Sequence, residues 1–406
     1  MPYYRRNLYV LWLTTFLAAA SWTQVVPFLP LYLSQLGVTD NLSQWSGAIF
    51  SLQFVAGVLM APFWGRIADR RGRKLMTLRA GFCLSAIYIL TGLATRPWHV
   101  AVLRFLNGAL TGFIPGSMAL VATNTPKELS ARYVASLQTA SAAGSIVGPV
   151  IGGALAEIFG IRGALFVSGC VVLFATLLVL FLVQEPNKVA PGTRTTLVQD
   201  IRTALQMPAM LTVMGITFLA MLATIAVQPI LAIYVGELSA SPSTTVSGII
   251  FSIPGLAFVV AAGRWVRVGE RFGHRTAVQW AIAGSALFGV ALSFVHTLFG
   301  FAVLFFGQGL FLAGLRPAAS AIISTEVESS FQGRAFGMQS SANTLAGMFG
   351  PLISGWVSGA WGTSSVFWVI GLLLIVGGVL LRFLERAAGA WVARDTARPY
   401  TRSSVQ

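Results

Sequence analysis

Residues 65–74 read GRIADRRGRK, and six of the ten are Arg, Lys or Asp. The chain around them is 406 residues long, 56% hydrophobic and only 10% charged. Apolar runs flank the stretch on both sides, each long enough for a helix to cross a hydrocarbon core of about 30 Å. Charge of this density is kept out of lipid, so the stretch is a water-facing turn between two membrane-crossing helices. A mean hydropathy of +0.77 extends that reading to the whole chain. The apolar runs are continuous rather than alternating. That selects helices over a β-barrel, the two structures that satisfy their own backbone polar groups in lipid. The 42 glycines suit close helix–helix approach in a membrane.

Charges and turn residues divide the chain into twelve expected helices, near 8–33, 44–68, 74–95, 98–123, 131–157, 163–184, 207–236, 244–268, 275–296, 298–325, 332–360 and 364–386. The expected fold is an all-α integral membrane protein, with twelve transmembrane helices in two pseudo-symmetric six-helix bundles. The polar interval 185–206 is expected to link a first bundle, 1–184, to a second, 207–386, and a tail follows over 387–406. The net charge of +15 is explained by membrane orientation, not by nucleic acid. With the N-terminus inside, only Arg96 and Arg162 of the 27 Lys and Arg fall in outside loops. Arg104 and Arg316 lie within spans, and the other 23 sit at or near the inner side, which makes both termini cytoplasmic. Cys83 and Cys170 lie inside apolar runs and form no disulfide framework.

The two halves match in register. DRRGRK from Asp69 returns as ERFGHR from Glu270, and VLRFLNG from Val102 as VLFFGQG from Val303, both 201 residues later. GPVIGG from Gly148 returns as GPLISG from Gly350, and PFLPLY from Pro27 as PILAIY from Pro229, both 202 residues later. Four matches at nearly constant offset indicate an internal duplication. Two such bundles face each other across a midplane cavity, and rocking one against the other gives alternating access.

These motifs resemble the major facilitator superfamily over essentially the whole chain. GRIADRRGRK fits that family's loop signature, Gly-x-x-x-Asp-Arg-x-Gly-Arg-Lys, at every position. GSIVGPVIGG at 144–153 resembles the antiporter signature of the fifth helix, and LRFLNGALTG at 103–112 the fourth-helix signature built on an intramembrane Arg. With VVPFLPLYLSQLGV on the first helix, the pattern is most similar to the drug:proton antiporter branch and its bacterial multidrug exporters. The resemblance implies a monomeric secondary transporter of the bacterial inner membrane. Its partners would be a small-molecule substrate, protons and the lipid bilayer, with no nucleic acid.

The resemblance also assigns roles. Asp69 would dock on the start of the eleventh helix, near Gln332–Arg334, and hold the cytoplasmic side shut in the outward-open state. Gly65, Arg70, Gly72, Arg73 and Lys74 would complete this gate, although the bases also serve topology on their own. The second copy departs from the signature: Glu270 replaces the Asp, and His274 interrupts the basic pair. The acid that the family often carries at the cytoplasmic end of the fourth helix is missing, since the chain reads VATNTPKE there, with Thr123 in its neighbourhood. On the fifth helix, Gly144, Gly148 and Gly152 form a smooth stripe beside Pro149 and Gly153. The resemblance places this stripe against the eighth helix; packing within one bundle is the alternative.

Arg104 lies six residues into the fourth span, about 9 Å below its outer end at 1.5 Å per residue. A charge at that depth faces a partner, faces water, or snorkels to the headgroups. A cavity-facing role is expected, and Arg316, beside Pro317, is expected to share it. Two such arginines would favour substrates with anionic groups. Gln24, Asn107, Gln138, Gln228, Gln308, Gln339 and Asn343 lie within spans and complete the expected cavity, with Trp22, Phe28, Tyr32 and Tyr234 as adaptable apolar lining. For each of these, plain interhelical packing is equally open.

No Asp or Glu lies in the middle of any span, so no embedded carboxylate can be named for proton coupling. The chain has no Gly-Lys-Ser/Thr nucleotide signature and no metal-ligand spacing; no cofactor and no enzymatic activity are expected. The expected function is proton-coupled export of small amphipathic drugs. The alternatives are a dedicated exporter or importer of one anionic metabolite, and a non-transporting receptor or assembly factor.

Overall fold

Gly72 ends one helix and begins the next. Its φ of 99° lies where a side chain is disfavoured, and it alone separates Leu42–Arg71 from Arg73–Gly92. The charged turn is thus a one-residue reversal. Four groups near it, two backbone and two basic, are tied down locally. The Glu185 carboxylate accepts from the backbone N–H groups of Arg73 and Lys74 at 2.7 and 2.9 Å, which neutralises the positive start of the second helix. Arg73 Nη1 donates to the Ala119 carbonyl at 3.1 Å, and Lys74 Nζ to the Leu180 carbonyl at 2.8 Å, near the ends of two other helices.

The computed structural model describes residues 2–186, 207–239 and 243–396; the side chains of Pro62, Asp69, Ser329, Ser330 and 384–396 lie outside that description. The described residues are helical throughout, without strands. In chain order the helices are α1 (Tyr3–Gln35, with a tight turn at Val26–Phe28), α2 (Leu42–Arg71), α3 (Arg73–Gly92) and α4 (Pro97–Asn124, interrupted after Leu110). A continuous segment, Lys127–Leu182, breaks at Gly160 (φ 71°, ψ 169°) into α5 (127–159) and α6 (161–182). The second half holds α7 (Pro208–Leu238), α8 (Thr244–Phe272), α9 (His274–Leu292), α10 (Leu298–Glu326), α11 (Ser329–Trp361) and α12 (Ser365–Thr396). Short connections force successive helices to run antiparallel. Nine of the described runs are long and apolar enough to cross a membrane, and one of them, 127–182, holds two spans. The remaining two, α9 and α11, do not reach that apolarity.

Observed and expected ends differ by a few residues except at α12. That helix continues to Thr396 instead of stopping near 386. Its extension, AAGAWVARDT, has no proline and is rich in helix formers. Most of the expected linker (187–206) and the last ten residues of the expected tail (397–406) lie outside the described residues.

Each half has its own core. One cluster, around Ile216, Tyr234, Phe301 and Phe367, belongs wholly to the second half. Two more, around Phe28, Tyr32 and Phe50 and around Leu11, Phe113 and Leu120, belong to the first. The duplication extends to individual hydrogen bonds. Trp64 Nε1 donates to the Ala109 carbonyl at 2.6 Å, and Trp265 Nε1, 201 residues on, to the Leu310 carbonyl at 2.7 Å. Tyr32 Oη donates to the Ala94 carbonyl at 3.2 Å, and its counterpart Tyr234 Oη to the Val295 carbonyl at 3.0 Å. Gly273 (φ 89°) repeats Gly72 between α8 and α9.

The paired indole bonds share no partner. Trp64→Phe and Trp265→Phe are each expected to cost about 1 kcal/mol, with nearly additive effects in the double variant. Thermal unfolding in detergent measures this; a double variant no less stable than either single one would show that the bonds carry no stability.

Candidate functional site

The halves meet mainly through α2 against α11 and α5 against α8, with smaller contacts of α7 on α1 and α2 and of α8 on α1. The two main contacts are copies of one another. A Cβ on Gly47 of α2 would overlap the Pro351 carbonyl of α11, and a Cβ on Gly248 of α8 would overlap the Pro149 carbonyl of α5. Likewise Gly355 of α11 sits against the Ser43 carbonyl, and Gly153 of α5 against the Thr244 carbonyl. Glycine is required at these positions because backbone meets backbone. Hydrogen bonds reinforce the contact: Ser252 Oγ to the Ile146 carbonyl (2.5 Å), Thr244 Oγ1 to the Gly153 carbonyl (3.0 Å) and Ser358 Oγ to Ser43 Oγ (2.9 Å). Glu157 accepts from Ser243 Oγ at 2.8 Å and from the Thr245 N–H at 3.2 Å, closing the start of α8.

All these contacts lie toward the end of the molecule remote from the termini. Toward the other end the same four faces are exposed. Gly65 on α2, Gly263 on α8, and Gly333 and Gly337 on α11 have no atom near where a Cβ would stand. Gln138 and Thr139 on α5, and Ser340 and Ser341 on α11, are exposed polar residues well inside their helices. Lipid does not accept such a surface, so these residues line a water-filled cleft between the halves. Among the described residues, the cleft is shut at the end remote from the termini and open on their side.

The structure sorts the expected cavity residues into two groups. Arg316 is exposed midway along α10, where its Nη2 lies 3.3 Å from Met221 Sδ of α7. Gln138 is exposed; Gln228, Gln339, Asn343 and Trp22 are half-buried. The others are not cleft residues. Gln24 is buried, and its amide donates to the Ala164 carbonyl at 3.1 Å and to Ser168 Oγ, tying α1 to α6. Phe28 and Tyr32 are core, and Tyr32 Oη also donates to the Thr91 carbonyl at 2.7 Å. Gln24, Phe28 and Tyr32 do come together, but around a small pocket inside the first half. Tyr234 is buried between Phe301 and Phe367. Gln308, Arg104 and Asn107 are buried as well. A helix in the middle of a bundle has two faces shielded from lipid, one on the cleft and one on its neighbours, and polarity marks both alike.

The glycine stripe also requires correction. Gly144, Gly148 and Gly152 do not face α8. They pack against α1 of the same half, at Phe16, Ala20 and Gln24. The face toward α8 is the adjacent one, carrying Pro149 and Gly153. Residues four apart share one helix face, whereas 149 and 153 lie one position round from the stripe.

At the charged turn, Arg73 and Lys74 are occupied by the carbonyls named above, Arg70 is exposed, and the Asp69 side chain lies outside the described residues. Gln332 Nε2 donates back to the Val327 and Ser324 carbonyls at 3.2 and 3.3 Å. Thr123, where an acid was absent, bonds only its own helix, at the Ala119 and Leu120 carbonyls. The acid at this turn is Glu185, from the segment after α6. Sequence reasoning had put it in the linker, although an acid directly after an inner helix end is a signal for such a cap. The acid missing at the end of α4 is present at the matching end of α10, where Glu326 pairs with Arg275 at 2.6 Å.

Twelve helices among the described residues, in two related halves joined at one end and parted around a polar cleft at the other, define a membrane transporter, not an enzyme. The model of the Major Facilitator Superfamily matches residues 11–224 and 213–403, and the chain belongs to that family. It is 34% identical over 383 residues to the multidrug resistance protein MdtG of Escherichia coli, covering 93% of this chain and 92% of that protein. It is 35% identical over 381 residues to MdtG of Citrobacter koseri, covering 93% and 94%. Among solved structures, a bacterial homologue of the human lysosomal transporter Spinster, inward-facing and occupied, superposes with a TM-score of 0.79 at 12% identity over 95% of this chain and 97% of that one. The nucleoside transporter NupG superposes at 0.75 with 16% identity over 93% and 99%. These two share the fold.

The closed end can be locked. In a background lacking Cys83 and Cys170, Ser43→Cys with Ser358→Cys is expected to form a disulfide on mild oxidation, since the two hydroxyl oxygens are 2.9 Å apart. Transport should stop on oxidation and return on reduction. A fully oxidised pair that still turns over would mean the closed end need not open.

Proposed function

We propose that the protein exports small amphipathic drugs from the cytoplasm by proton-coupled alternating access. The reading rests on one observation. A polar cleft opens on the side of the termini, in a chain whose relatives at 34–35% identity over nearly their full length are multidrug resistance proteins. The concentration of Lys and Arg on that side supports reading it as the cytoplasmic face of the bacterial inner membrane. The arrangement is then inward-facing, ready to take substrate from the cytoplasm. Gln138, Gln228, Gln339 and Asn343 would bind by adaptable hydrogen bonds, and Arg316 by charge. The glycine–proline contacts would part as the molecule turns outward, while Asp69 docks at the start of α11.

The closed end is held by a handful of hydrogen bonds, each worth about 0.6 kcal/mol in membrane proteins. Opening therefore costs a few kcal/mol, a scale that substrate and proton binding can supply. Arg316 also supports a second reading, a carrier dedicated to one anionic metabolite.

Accumulation of a fluorescent amphipathic dye, with and without the protein, tests the proposal. Lower accumulation that a protonophore abolishes is expected; accumulation unaffected by the protein would exclude drug export. A resistance profile confined to one acid would favour the second reading. Arg316→Ala should lower export of acid-bearing compounds about tenfold, equivalent to about 1.4 kcal/mol, with normal insertion. Asp69→Asn should leave dye binding intact yet slow turnover by a similar factor, and wild-type turnover would remove the gate role.

A further inference from the structure

Arg104 is 4% exposed, and among the described residues no carboxylate bonds it. Its Nη1 donates to Gln53 Oε1 of α2 at 3.2 Å, and its guanidinium carbon lies 5.6 Å from the centre of the Phe50 ring. Its Nη2 has no partner. Two more buried polar groups stand beside it, facing each other. One is Asn107 Nδ2, one turn along α4 on the same face; the other is the Tyr88 hydroxyl of α3, which adjoins both Asn107 and Arg104. Asn107 is 3% exposed, Tyr88 2% and Gln53 6%.

The first segment of α4 packs against α2 and α3, and these bring Gln53, Phe50 and Tyr88 to the arginine but no carboxylate. None of the chain's 12 Asp and Glu lies in the middle of a span. A guanidinium does not release its proton, and a buried charge without a partner costs several kcal/mol. The unpaired Nη2 of this buried cation calls for an acceptor. The missing group is therefore an acceptor carrying negative charge. The cluster is closed, which excludes a drug-sized anion.

We propose that Arg104, Asn107 and Tyr88 hold a small inorganic anion of chloride size as a resident counter-charge within the first half. The site is distinct from the drug cleft and from Arg316. The anion stands where other buried arginines have a carboxylate. It stabilises the packing of α2, α3 and α4 without being carried across the membrane.

The test uses the purified full-length protein in detergent. Its thermal unfolding midpoint is compared in sodium chloride and sodium gluconate at equal ionic strength, with bromide and sulfate as further arms. The midpoint is expected to rise saturably with chloride and bromide, as for any ligand that binds only the folded state. Sulfate should not substitute. Arg104→Gln should abolish the chloride response. Gln53→Glu places a carboxylate on the arginine already bonded to that position. It should raise the midpoint in gluconate to the wild-type value in chloride, and remove the chloride dependence. Should Arg104→Gln fail to fold, Gln53→Glu decides alone. Equal midpoints for the wild type in chloride and gluconate, the result if water alone fills the site, would overturn the proposal. So would a Gln53→Glu variant that keeps the full chloride response.

Discussion

Backbone-to-backbone contacts join the halves of this protein, the tightest being Gly47 against the Pro351 carbonyl and Gly248 against the Pro149 carbonyl. Lipid supplies no hydrophobic drive for helices to associate, so they adhere through close packing and a few polar bonds. At these glycines no side chain intervenes. The helices approach until backbone meets backbone, and Ser252, Thr244 and Ser358 donate across the seam. Because the chain is duplicated, the contact occurs twice. Among the described residues, two equivalent seams lie at one end of the molecule, and exposed glycines and polar side chains lie at the other. The cleft follows from that arrangement.

Placing charge inside such a molecule is a second constraint. Arg316 stands at the cleft, where water solvates it, and needs no fixed partner beyond contact with Met221. Arg104 is sealed between α2, α3 and α4 with Gln53 as its only bonded neighbour among the described residues. The two arginines looked alike as intramembrane cations in the sequence. Their surroundings differ: Arg316 is exposed, and Arg104 is buried. The same distinction separates the exposed amide of Gln138 from that of Gln24, which ties α1 to α6.

Much of the fold was legible beforehand. Span lengths follow from the thickness of hydrocarbon, helix ends from glycine and charge, and the duplication from motifs repeated at a fixed offset. The extension of α12 to Thr396 was not, because a helix that has left the membrane is no longer marked by apolarity. The site was less legible. Phe28, Tyr32 and Tyr234 belong to the cores, and the stripe of Gly144, Gly148 and Gly152 serves α1 and not the seam. Glu185 was assigned to a linker, yet its carboxylate caps α3 at the charged turn.

The sequence by itself determined that this is a duplicated bundle of membrane-crossing helices, with its basic turns gathered on one face. Transfer of charge and backbone into lipid is so costly that composition and spacing leave little choice. Only the tertiary structure decided which shielded face of each helix meets the cleft and which meets a neighbour. Both faces avoid lipid and tolerate the same small and polar residues. The rotation of each helix about its axis is set by contacts with chain far away in sequence, such as Ser43 with Ser358, and no local pattern records it.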